Sequence, residues 1–274
     1  MLLTSDFNPV SEFTNFLSNP YVKLPLGLDI NKGVVYIWLT GLVTIVGALL
    51  VTRGLKLRPA RPQATAEILY DVAQNTIARA NLPQEGMRIW FPYVATLFVF
   101  IGVMNLIGFI PLPFSDDHVH IGGVAVPQLQ IYAASASLSV SLALTLVTFF
   151  ASHIEGIRYN GVIKYFKSWV PSGSPKPLLV LLIPVEVISQ LARLISLSVR
   201  LFANMLAGHL VIAVFLALAG LLTTGIGYWF IQPFGLAMGV AIYTLEVVLI
   251  AGLQAFIFAI LSAIYIGGAI HPDH

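Results

Sequence analysis

The 274-residue chain has no cysteine and very few charges. Without thiols there is no disulfide framework and no thiolate metal site. Charged residues make up 9% of the sequence, against about 25% in an ordinary soluble domain. So few charges cannot clothe a water-facing surface, whereas a lipid-facing surface needs none. The net charge is only +2. No Lys/Arg-rich run tracks phosphates, which argues against a nucleic acid partner. A Gly-rich phosphate loop, a nucleophile elbow and a paired-His metal motif are also missing. Nothing therefore calls for bond chemistry, a metal or a cofactor. No internal repeat, low-complexity tract or soluble domain boundary interrupts the chain.

What the sequence does have is apolar length. Hydrophobic residues account for 58%, and the mean hydropathy is +0.89. The expectation is an all-α integral membrane protein forming one membrane domain over 1–274. Residues 1–33 carry Asp6, Glu12 and Asp29 with three prolines, unlike a cleaved secretory signal. They read as an outer leader of the mature protein.

Val34–Thr52 is uncharged for 19 residues, close to the roughly 20 that span a bilayer core. It is followed at once by Arg53, Lys56, Arg58 and Arg61, so the positive-inside rule puts this end inside. Over 63–81, Ile68, Leu69, Val72, Ala73, Ile77 and Ala80 recur at helical spacing, with Glu67, Asp71, Gln74, Asn75 and Arg79 opposite. That pattern predicts an amphipathic helix at the inner surface or against a partner. A second span is expected over 91–112 and a third over 129–151, with Ser135, Ser137, Ser139 and Ser141 on a small-residue helix. The loop between them holds Asp116, Asp117, His118 and His120. It reads as an exposed outer loop rather than a metal site. Arg158, Lys164, Lys167 and Lys176 mark the next loop as inner.

Two apolar stretches remain, 178–222 and 228–270, separated by Gly225 and Gly227. As one helix the first would be roughly 67 Å long, more than twice the bilayer core. Four short spans or two long, strongly tilted helices fit the pattern.

Between Leu178 and Ile270 the only formal charges are Glu186, Arg193, Arg200 and Glu246. A charge at the bilayer centre costs about 2.5–3.5 kcal/mol on insertion scales. Each such group must therefore face a partner, a cavity or an ion path, or else pair with another helix as a structural salt bridge. Glu186, Arg193, Arg200 and Asn204 fall at i, i+7, i+14 and i+18, close to one helical stripe. His209 points to the opposite side. A fold-back near Gly225–Gly227 would make His209 and Glu246 neighbours, a pairing suited to proton relay because imidazole titrates near neutrality. Arg200 cannot relay protons, since guanidinium does not deprotonate in proteins. It can hold a passing carboxylate ionised: at 4 Å and an effective dielectric near 20 the attraction is about 4 kcal/mol.

The run Ser198-Val199-Arg200-Leu201-Phe202-Ala203-Asn204-Met205-Leu206-Ala207-Gly208-His209 resembles the signature helix of subunit a of F-type ATP synthases. Phe91-Pro92-Tyr93 through Asn105–Pro111 resembles that family's second span, and Leu253–Phe258 its last helix. The resemblance covers about 34–268. It implies a stator beside a rotating c-subunit ring, with the last two helices as a long tilted hairpin facing that ring. It implies two proton half-channels separated by an essential arginine, matched by Arg200. Asn204 and Gln254 match polar residues near it. His209 and Glu246 resemble the outer half-channel pair, and Glu186 the acidic position of the inner one; Arg193 lies on the same stripe. The 63–81 helix matches the contact with the peripheral-stalk b subunits. The implied setting is a bacterial plasma membrane or an organelle inner membrane.

One departure stands out. Glu246 precedes Gln254 by eight residues, where many relatives have seven. Either a one-residue bulge restores the register, or Glu246 is rotated by about 100° away from its channel.

Other classes make different demands. A secondary transporter with its site at Arg200 and Glu246 calls for inverted repeats and uptake by this chain alone. A purely structural subunit calls for salt-bridged charges.

Overall fold

The computed structural model describes residues 20–22, 30–56, 61–112, 118–121, 124–127, 132–169, 176–221 and 226–272. Most of the leader, Asp116 and Asp117, and the turn expected at Gly225 lie outside them. The described helices are α1 (Lys32–Arg53), α2 (Arg61–Asp71), a π-turn (Val72–Ala78), α3 (Arg79–Asn81), α4 (Gln84–Gly108) and α5 (Leu138–Asn160). They continue as α6 (Val162–Lys167), α7 (Lys176–Leu221), α8 (Ile226–Leu245), a second π-turn (Glu246–Ile250) and α9 (Ala251–Ile270). Five stretches among the described residues are long and apolar enough to cross a membrane: Lys32–Arg53, Gln84–Gly108, Leu138–Asn160, Val180–Phe215 and Gln232–Ile270. The all-α membrane architecture holds.

The question of four short spans or two long helices is answered by continuity. α7 runs unbroken for 46 residues, about 69 Å at 1.5 Å per residue. Gly227 lies inside α8 rather than at a break, because that helix begins at Ile226.

Two expected spans are displaced. The second begins at Gln84, not 91, because the carbonyl of Pro83 accepts the N–H groups of Gly86 and Met87 and starts the helix among polar residues. The third is Leu138–Asn160, not 129–151. Hydropathy cannot tell a buried turn from a helix. Here Ala134–Ala136 form a buried 3₁₀ turn, with the Ser135 hydroxyl donating to Asn105 Oδ1 at 2.7 Å. Ser135 and Ser137 are therefore not on the helix that carries Ser139 and Ser141. At its far end α5 continues through Arg158 until Gly161, whose φ of 76° is the left-handed stop that glycine tolerates.

Short antiparallel pairs join Pro20–Val22 (β1) to Ile30–Asn31 (β2) and His118–Ile121 (β3) to Val124–Pro127 (β4). The apolar pattern does not announce them.

The chain divides into two compact units. In the first (1–43, 102–137, 202–253) the core joins Phe109, Ala133, Ala136, Met205, Ile212 and Ala251, with Ile242, Tyr243 and Val247 packed against it. A side chain on Gly108 would overlap Ala133, so only glycine permits that approach. Asn105 donates to the Ala251 carbonyl at 3.2 Å.

In the second (44–101, 138–201, 254–274) Ala255, Ala259 and Ala263 are buried at four-residue intervals along α9. Small residues at that spacing let membrane helices approach closely. Tyr93 and Thr148 hydroxyls meet at 2.8 Å. Asn160 donates to the Ala269 and Ile270 carbonyls at 3.1 Å each. The amphipathic segment buries Ala73, Ile77 and Ala78 but exposes Ile68, Leu69 and Ala80. The π-turn between 72 and 78 rephases the helix, so one apolar stripe cannot run its whole length.

Candidate functional site

In the second unit, an open cavity of about 520 Å³ is lined by Ser152 and His153 of α5, Tyr165 of α6, and Glu186, Gln190 and Arg193 of α7, among others. The Gln190 amide donates to Glu186 Oε1 at 2.8 Å. The Arg193 guanidinium lies 5.9 Å from the centroid of the Tyr265 ring, a cation–π contact. Burial pushes the Tyr165 phenol up, against the opposing influence of Trp169 and the Arg193 charge. The cavity is wide enough for several waters, and its walls carry both a carboxylate and a guanidinium.

Further along α7, Arg200 and Asn204 are exposed, one turn apart on the same face. Around them Leu191, Ile195, Val199 and Val211 are exposed too. Among the described residues the carboxylate ion pairs are Glu155–Arg158 and Glu85–His271. Neither Arg193 nor Arg200 takes part in one. The expected polar stripe is thus a row of groups open to a cavity or to the outside, rather than internal salt bridges.

The first unit holds two further titratable groups singled out in the sequence, His209 and Glu246. His209 is buried, on the side of α7 opposite to the exposed Arg200, as nine residues at 100° each require. Its Nδ1 lies 2.7 Å from the Met205 carbonyl oxygen and its Nε2 lies 3.4 Å from that of Gly108. A neutral imidazole can donate from only one nitrogen, while the cation can donate from both. The ring stacks on Phe109 with centroids 5.0 Å apart. The Glu246 carboxylate is buried and packs against Gly208, the residue before His209. Its Oε2 has no hydrogen-bond partner among the described residues. The Glu246 carboxylate thus meets α7 one residue before His209.

Glu246 opens the second π-turn, Glu246–Ile250. A π-turn is one extra residue inserted in an α-helix. That matches the extra residue between Glu246 and Gln254. Gln254 follows in α9 and is buried.

Several participants carry no sequence signal of their own. Phe109 and Tyr243 read as ordinary apolar positions, yet Tyr243 donates its hydroxyl to the Phe109 carbonyl at 2.9 Å and meets the Phe109 ring edge-on at 5.8 Å. His153 falls two residues beyond the expected third span, where a polar residue carries no signal. Gly208 had one usable signal, a glycine directly before a histidine inside a long helix.

Comparison with known proteins agrees with these observations. The family model for the ATP synthase A chain matches residues 34–267. The ATP synthase subunit a of Rhodopseudomonas palustris strain TIE-1 is 40% identical over 238 residues, 86% of this chain and 87% of that protein. The subunit a of Bradyrhizobium diazoefficiens is 41% identical over 234 residues, 85% of each chain. That of Maricaulis maris is 36% identical over 277 residues, covering 98% of this chain and all of the relative. With its membrane-length helices and sparse intramembrane charges on one stripe, the chain belongs to the ATP synthase A chain family, the multi-pass proton-channel component of a proton-translocating ATP synthase with no catalytic site of its own.

Proposed function

We propose that Arg200 is the fixed charge that separates two proton half-channels, and that this chain couples proton flow to rotation of a c-subunit ring. The observation that carries this reading is an arginine left exposed, and without an ion pair among the described residues, within an apolar, membrane-length helix. Lipid is a costly neighbour for that group. A ring carboxylate passing Arg200 is held ionised and gives up its proton, and the same charge blocks a direct proton leak. Asn204, one turn away, and Gln254 supply polar contacts along the same passage. Glu186, with Arg193 beside the cavity, forms the inner half-channel. His209 and Glu246 form the outer one, with the π-turn restoring the register of Glu246.

The exposed length of α7 and the helix running on from α8 form the tilted hairpin that meets the ring. Exposed Ile68, Leu69 and Tyr70 on α2 offer an apolar surface to the b subunits of the peripheral stalk. Bacterial relatives support a bacterial inner membrane, with the Arg53–Arg61 end inside.

Proton pumping by inverted vesicles carrying Arg200→Ala tests the reading. ATP-driven pumping is expected to vanish in an assembled complex while ATP hydrolysis by the soluble sector continues. Pumping at the wild-type rate would reduce Arg200 to a structural charge.

A further inference from the structure

We propose that His153 is the proton-exchanging group of the inner cavity, taking protons from inner-side water and passing them along that water to Glu186; this rests on the half-channel reading above. His153 is half-buried on α5 and lines the same cavity as Glu186. Its Nδ1–H donates to the Phe149 carbonyl at 2.8 Å, with the Ser152 hydroxyl 3.3 Å away. Ser152 donates to that same carbonyl at 2.8 Å. With Nδ1 committed as a donor, the neutral ring carries its lone pair on Nε2, which has no hydrogen-bond partner among the described residues.

Packing fixes the ring. Phe149 lies 4.1 Å away between centroids, Tyr165 at 5.9 Å and Trp169 at 6.0 Å, the last two edge-on. An imidazole held in one tautomer beside a wet cavity is a group that can pick up and release a proton without reorienting. The titratable and charged groups around the cavity are Tyr165 on α6, Glu186 and Arg193 on α7, and Tyr265 on α9. On its own helix Glu155 and Arg158 pair with each other at 3.5 Å. Of these neighbours none is a second imidazole.

The step is simple. Nε2 accepts a proton from hydronium in inner-side water, and the ring becomes a cation. It then returns that proton to a water chain ending on the Glu186 carboxylate. Only N–H and O–H bonds are made and broken. During synthesis the order reverses.

The test is the dependence of ATP-driven pumping on external pH in inverted vesicles, whose medium bathes the inner side. Wild type, His153→Gln, His153→Phe and Arg200→Ala complexes are compared, with assembly checked by vesicle-bound ATP hydrolysis. Phe keeps the ring packing and loses the proton site. At pH 6, where protons are abundant, both His153 variants are expected to pump near the wild-type rate. Toward pH 8.5 both are expected to fall about tenfold below it. A His153→Phe profile that follows wild type at every pH overturns the proposal and leaves the ring as packing. A uniform loss at every pH also overturns it, in favour of a structural role. If Arg200→Ala still pumps, the half-channel reading fails and the inference falls with it. If Arg200→Ala is silent while the His153 profiles match wild type, only the inference fails.

Discussion

The Glu246 carboxylate lies against the α carbon of Gly208, so closely that a methyl group there would overlap it. Two helical segments are therefore locked in register at the residue before His209. Gly208→Ala forces either the carboxylate or the backbone to move, at an overpacking cost of about 1–3 kcal/mol. The expected result is a lower midpoint in thermal unfolding of the solubilised complex and a severalfold loss of pumping. A variant with unchanged pumping and stability would mean that the close approach does not position Glu246.

The carboxylate itself can be tested without disturbing packing. Glu246→Gln keeps the shape and removes the exchangeable charge. Proton-transfer groups contribute typically 10²–10⁴-fold, so pumping should drop by at least about tenfold while assembly and thermal stability stay near wild type. Loss of assembly instead of transport would make Glu246 a structural residue.

The π-turn makes a sharper prediction. If Glu246–Ile250 absorbs one extra residue, deleting Val248 should convert it to regular α-helix and leave Gln254 in the same relation to Glu246. Pumping is expected to survive that deletion. Deleting Ala259, in the regular part of α9, should rotate every following residue by about 100° and abolish assembly or transport. Survival of both deletions, or loss in both, would show that the turn does not set the register.

Asn105 gives a stability test in the first unit. It is fully buried, accepts from Ser135 and donates to the Ala251 carbonyl. Asn105→Ala removes both hydrogen bonds, which should cost about 1–3 kcal/mol. Thermal unfolding of the complex reads the loss, and Asn105→Ala with Ser135→Ala should cost less than the sum of the two single changes, because both remove one shared interaction.

Much of this was legible in the sequence, for a physical reason. A long apolar run has few stable solutions in lipid, so the membrane-length helices and the polar stripe of α7 follow from composition and spacing. The scarcity of charge singled out Glu186, Arg193, Arg200 and Glu246. The extra residue before Gln254 left open a bulge or a rotated Glu246, and a π-turn occupies that stretch. Where the reading missed, hydropathy had nothing to distinguish. Tyr132–Ser137 is as apolar as a span yet is held as a buried turn by the Ser135–Asn105 hydrogen bond. That displaced the expected third span and hid His153, which lies two residues beyond it. Phe109 and Tyr243 were invisible because their contribution is a backbone carbonyl and a ring contact, neither of which leaves a mark in residue type.

The most direct measurement of the central claim is passive proton flow under an imposed membrane potential, in vesicles stripped of the soluble sector, beside ATP-driven pumping by the intact complex. A fixed positive charge that both drives deprotonation and blocks leakage predicts a specific pair of results for Arg200→Ala. Pumping is lost, and passive proton flow persists or rises because the barrier between the half-channels is gone. Wild-type pumping with an unchanged leak would contradict the account and leave Arg200 without a part in coupling.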